Sequence, residues 1–229
     1  MKRWIAIVTM LLALGSAAFA GDVATLVNLG FSPDSKTFMF GFYGLDVANS
    51  KPYAELYLVD TKKNDFVPGG VFKGMYGSEM QPGWDPAGGF YKLFSDAAPS
   101  ARKLRIDHLA QGRLVYLLVN GDAGPDALSF KDFDTGSQWD VSLKQSVEEK
   151  SGSFLSSFGL EINITGTDGK KVSFKAGNPA IRRKDVAKYT IKEILVAPDG
   201  KTVVAIIERL EKNSAGPSIR YMVESFKLP

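Results

Sequence analysis

The chain has no cysteine and a single histidine. Without thiols there is no disulfide, no thiolate metal site and no cysteine for lipid attachment behind a leader. One imidazole, His108 in "LRIDHLAQG", excludes zinc or iron sites built on several His ligands. It also leaves a Ser–His–Asp arrangement with one possible base, and no GxSxG elbow accompanies it. His108 therefore reads as an ordinary half-buried or surface residue of a helix. No GxxxxGK[ST] loop is present, and the glycines from Gly69 to Gly77 lack a following helix, so phosphate cradles are not expected. Net charge is small as well. The formal +3 includes Lys2 and Arg3, and gives no electrostatic case for nucleic acid or anionic lipid. No cofactor and no metal is expected.

What is present begins with a leader. Lys2 and Arg3 precede the apolar stretch Trp4–Leu14, and Ala18-Phe19-Ala20 supplies a small-x-small cleavage pattern. The apolar run falls short of the roughly 20 residues needed to span a bilayer. The expectation is cleavage after Ala20, leaving residues 21–229 as one exported domain with no stable membrane anchor, periplasmic or extracellular. At 45% hydrophobic, that length suffices for an ordinary core.

The remaining pattern is period two. Phe38, Phe40 and Phe42 lie on one face of a strand, with Thr37, Met39 and Tyr43 on the other. "YAELYLVD" (Tyr53–Asp60) makes a second, with Ala54, Leu56 and Leu58 on one side. Further strands are expected at Arg113–Val119, Leu160–Thr165, Val172–Lys175, Tyr189–Val196, Thr202–Leu210 and Ile219–Leu228. Three turns separate such runs: "SPDSK" (Ser32–Lys36), "TDGKK" (Thr167–Lys171) and "APDGK" (Ala197–Lys201). In the first and last, Pro presets the turn, Asp bonds back to the backbone, and Ser35 or Gly200 takes the left-handed position. Helix is expected at Ser95–Gln111 and, on a weaker pattern, at Ser142–Lys150. Gly69–Gly89, rich in Gly, Pro and Met, reads as a long irregular loop.

Candidate site residues are few. Asp122, Asp126, Asp132 and Asp134 form acidic loops without EF-hand spacing, and read as solvated turn residues. Arg182–Lys184 and the trio Arg102, Lys103 and Arg105 read as solvated basic faces. Glu55, Asp46 and Glu208 are acids on or beside strands, though no spacing pairs them as glycosidase carboxylates. Aromatics are dense from Phe38 to Tyr57. The phenylalanines read as core, whereas Tyr43, Tyr53 and Tyr57 carry polar tips suited to the rim of a cleft. Tyr43, Asp46, Tyr53, Glu55 and Tyr57 are thus the binding residues to examine.

The PDGK-type hairpins resemble the repeats of TolB-type β-propellers. The blocks "LGFSPDSKTFMFGFYG" (Leu29–Gly44), "KPYAELYLVDTKKNDFVPG" (Lys51–Gly69), "YTIKEILV" (Tyr189–Val196) and "GPSIRYMVESFKL" (Gly216–Leu228) resemble an uncharacterised bacterial family of predicted secreted proteins. That resemblance implies export and a shared fold, and nothing catalytic. The expected fold is mainly β, a single antiparallel domain of hairpins with one short helix; the alternative is a small propeller. The expected function is a non-enzymatic binding or interaction module with an envelope protein or polymer as partner. The alternative is a hydrolase acting on envelope polymer through acids such as Glu55 and Asp46.

Overall fold

The computed structural model describes residues 22–46, 49–77, 79–81, 83–119, 124–213 and 216–228. The leader and Asp122 lie outside them. Among the described residues, fourteen strands and one helix follow in chain order: β1 (Asp22–Val23), β2 (Thr25–Phe31), β3 (Thr37–Asp46), β4 (Lys51–Asp60), β5 (Asp65–Met75), α1 (Ala87–Lys103), β6 (Arg113–Leu117), β7 (Ala127–Lys131), β8 (Gln138–Lys150), β9 (Ser153–Thr165), β10 (Lys171–Ala176), β11 (Arg183–Lys184), β12 (Val186–Val196), β13 (Thr202–Asn213) and β14 (Gly216–Lys227).

The strands form three sheets. A front sheet runs β2-β3-β4-β5 and a back sheet β10-β9-β8-β7, with β11 on β9; a central sheet runs β1-β14-β13-β12-β6. All pairings are antiparallel except the short β1–β14 contact. Side-chain alternation stacks these sheets. On β13, Val203, Ala205 and Ile207 join the core shared with the back sheet. Val204 and Ile206 join the core shared with the front sheet. Both faces of β13 are thus covered along Val203–Ile207, and that stretch is continuously apolar. In the front sheet, Phe38, Phe40 and Phe42 face inward to that second core. Met39, Ala54, Leu56 and Leu58 face outward, beneath α1. The mainly β antiparallel domain with one helix is what forms. Its meanders stack as three layers, with the sheet of β12, β13 and β14 in the middle, and these stacked sheets give no support to a TolB-type propeller.

The two Pro-Asp turns meet. Ser35 takes φ 54° and Gly200 φ 68°, and the backbone N–H of Asp199 donates to Ser35 Oγ at 3.2 Å. Asp34 accepts from the Ser32 hydroxyl at 2.7 Å, and that bond, with those from Lys36, lowers its carboxyl to about 2. One turn geometry used twice ties the front sheet to the central one.

Three expectations are corrected. The helix occupies Ala87–Lys103 in place of Ser95–Gln111; Pro86 stands at its N-cap with no side-chain cap bond, and Asp85, one residue earlier, accepts the Ala87 N–H at 2.9 Å. The pair Gly88-Gly89, poor in helix propensity, masks its start. Arg105, at φ 56°, ends it, and the Ile106 N–H reaches back to the Ala101 carbonyl at 2.9 Å. Ser142–Lys150 is the second half of β8, whose buried Trp139, Val141 and Leu143 alternate with period two. Gly69–Met75 belongs to β5 and is no loop. A Cβ on Gly70 would lie 2.9 Å from Leu58 Cβ, so glycine here allows a close, irregular strand approach.

Candidate functional site

Strand β12 carries an irregularity that places charge. Ile191 pairs with Ile207 and Glu193 with Ile206, so Lys192 is an extra residue in the ladder to β13. Ile191 and Ile194 both face the back-sheet core, whereas Leu195 faces the front. The bulge therefore turns two consecutive residues, Lys192 and Glu193, toward the front side together. A regular strand would have sent them to opposite faces.

They enter a hollow of about 820 Å³, walled by Val23, Leu26, Leu117 and Val119 with Tyr221 and Glu208. Val23 and Val119 are more than half exposed, Leu117 nearly so. Lys192 Nζ donates to the Leu118 carbonyl at 3.0 Å and stands 3.6 Å from Glu208 Oε1. The Tyr221 hydroxyl donates to the Ala24 carbonyl at 3.1 Å. Burial, reinforced by the charges of Glu208 and Glu193, pushes Tyr221 up to about 12. Burial also raises the Glu193 carboxyl, with Lys192 pulling the other way. A large concave site with apolar walls and a few converging polar groups is the usual form of a ligand pocket.

The sequence-predicted residues are divided between two faces and a second hollow. Asp46, Tyr53 and Glu55, with Lys73 and Arg220, line a space of about 280 Å³. Asp46 accepts the Asn49 N–H at 2.9 Å. Glu55 pairs with Lys73 at 2.8 Å and accepts the Tyr57 hydroxyl. Asp46 pairs with Lys51, four residues before Glu55, so the two acids stand about 13 Å apart along the ladder at about 3.3 Å per residue.

Tyr53 lines that space with little surface and Tyr57 lies outside it: both are 6% exposed, and burial raises both hydroxyls. The Arg220 guanidinium lies 4.4 Å over the Tyr53 ring and pairs with Asp22 at 2.6 Å, anchoring the start of the domain. Tyr57 stacks between Phe40 and Phe66 at 5.1 Å. Tyr43 points to the opposite face, its ring 5.4 Å from Phe90 of α1.

Asp132 is no solvated turn residue either. It is 3% exposed and accepts from both terminal guanidinium nitrogens of Arg113, at 2.5 and 2.9 Å. That pairing holds its carboxyl at about 2. His108 lies beyond α1 and contacts the Leu29 carbonyl through Nδ1 at 2.7 Å. Among the described residues no group of His, Asp and Glu is placed to hold a metal ion.

Sequence reasoning placed Glu208 among its acids but missed Lys192, Glu193 and Tyr221. The available signal was the spacing in "YTIKEILV". Tyr189 and Ile191 are two apart, but Ile194 follows after three, with the pair Lys-Glu between. Two polar residues interrupting an apolar period of two mark a bulge.

The fold defines a layered, mainly antiparallel β protein with one covering helix. The chain belongs to the family described as predicted secreted protein (DUF2259), whose model matches residues 39–227. No curated protein matches it. The family description, predicted secreted protein, is consistent with export, and the match includes every β12, β13 and β14 residue of the larger hollow.

Proposed function

We propose that this exported protein is a non-catalytic binding module of the cell envelope. Its ligand, a small molecule or one segment of an envelope polymer or protein, seats in the hollow bounded by Lys192, Glu193, Glu208 and Tyr221. The observation that carries this reading is the bulge. Turning Lys192 and Glu193 to one side brings charge to a partly apolar space that a regular strand would have lined with one of them. Bulges beside sites commonly re-aim side chains in this way. Export places such a pocket among envelope components.

The test is retention of small molecules from an envelope extract by the mature chain, read by native mass spectrometry. The expected result is a bound mass retained by the wild-type chain and lost from E193Q/E208Q. Equal retention by both proteins contradicts the assignment of the hollow.

A further inference from the structure

We propose that the ligand of this hollow is an organic cation, an ammonium or guanidinium group carried on an apolar body. This deepens the assignment just made and rests on it.

The hollow is short of anions' partners and rich in cations' partners. The cationic side chain among its described lining residues, Lys192, is already engaged by the Leu118 carbonyl at 3.0 Å and by Glu208 at 3.6 Å. The Tyr221 hydroxyl spends its proton on the Ala24 carbonyl, so toward the hollow its oxygen can only accept. Glu208 meets Lys192 at a separation longer than a hydrogen bond, leaving carboxylate lone pairs available. Glu193, half-buried, has no hydrogen-bond donor among the described residues, and the charge of Lys192 is its main electrostatic partner. Among the described lining side chains, the Thr25 hydroxyl alone is placed to serve as either donor or acceptor.

Two carboxylates against one lysine leave the hollow one positive charge short of balance. A ligand with N–H donors and a positive charge supplies both deficits; a carboxylate or phosphate supplies neither and meets repulsion. The walls set the rest of the molecule. Val23, Leu26, Leu117 and Val119 present aliphatic surface around the charges, and three of them are strongly exposed. An apolar body covering them removes that surface from water. An inorganic cation would satisfy the carboxylates and leave the walls bare.

Three probes of one length separate charge from apolarity: hexylammonium, hexanol and hexanoate, each titrated into the ¹⁵N-labelled mature chain at neutral pH. The expected result is saturable amide shifts at residues 22–26, 117–119, 192–193 and 219–221 with hexylammonium. Hexanol then binds about tenfold or more weakly, as a lost charge-assisted hydrogen bond requires, and hexanoate gives no saturable shift. In E193Q the hexylammonium affinity falls to that of hexanol. The three-probe comparison on the wild-type chain stands even where the variant fails to fold. Hexanol or hexanoate binding as tightly as hexylammonium overturns the cation assignment while leaving the hollow a binding site. Saturable shifts with none of the three overturns both.

Discussion

Lys192 and Glu193 are neighbours in sequence and yet lie on the same side of β12, because the ladder to β13 skips Lys192. Lys192 is thereby brought into a largely buried pair with Glu208, at 10% and 17% side-chain exposure. Removing one member of such a pair strands the other. Lys192→Met is expected to destabilise the protein by about 3 kcal/mol, whereas K192M/E208L recovers most of that loss. Urea unfolding of the two variants, with unchanged m-values, checks this.

Asp132 and Arg113 give the fold an acid limit. The bidentate pairing holds Asp132 at about 2, below its ordinary 3.8. The folded state thus favours the ionised carboxylate, and the stabilisation, about 2 kcal/mol, is complete above the unfolded value. It is lost as pH falls from about 4 through 2. Asp132→Asn should lower stability at neutral pH by a similar amount and flatten that part of the stability–pH curve.

Glycine positions of similar φ should differ sharply in tolerance. Gly30, at φ 93°, would bring a Cβ within 2.2 Å of the Asp107 carbonyl oxygen, whereas Gly169, at φ 78°, has open space. Gly169→Ala should cost only the left-handed strain of about 1 kcal/mol. Gly30→Ala must also displace the backbone that bonds Phe31 to Asp107 and Ala110, and is expected to exceed 3 kcal/mol. Melting temperatures order the two variants.

The layered β fold was legible where alternation was strict. Phe38-Phe40-Phe42 and the turn at Ser32–Lys36 led directly to the front sheet, whereas the bond from the Asp199 N–H to Ser35 that ties this turn to Ala197–Lys201 left no signal in the sequence. Residues whose role depends on a partner far along the chain were not legible. Tyr53 and Tyr57 look like amphipathic rim residues until Arg220, Asp22 and Phe66 close over them. Asp132 looks like a turn aspartate until Arg113 reaches it. Gly70 and Gly89 read as loop because close packing against Leu58 and Tyr76 leaves no trace in local propensity.

Tyr53 is therefore expected to act on stability. Tyr53→Ala should cost about 3 kcal/mol through lost burial. Tyr53→Phe should cost about 1 kcal/mol, losing its hydroxyl's bond to Asp22. Neither change should weaken ligand retention at Lys192, Glu193 and Glu208, which native mass spectrometry of the folded variants reads directly.

The central claim, that the bulge of β12 builds the ligand site, is most directly tested by hydrogen–deuterium exchange on the mature chain, with and without envelope small-molecule extract. The account predicts slowed exchange in segments 22–26, 117–119, 190–194 and 219–221, and no such protection in E193Q/E208Q. Protection that leaves those segments unchanged and appears on the face lined by Asp46, Tyr53 and Glu55 would contradict it.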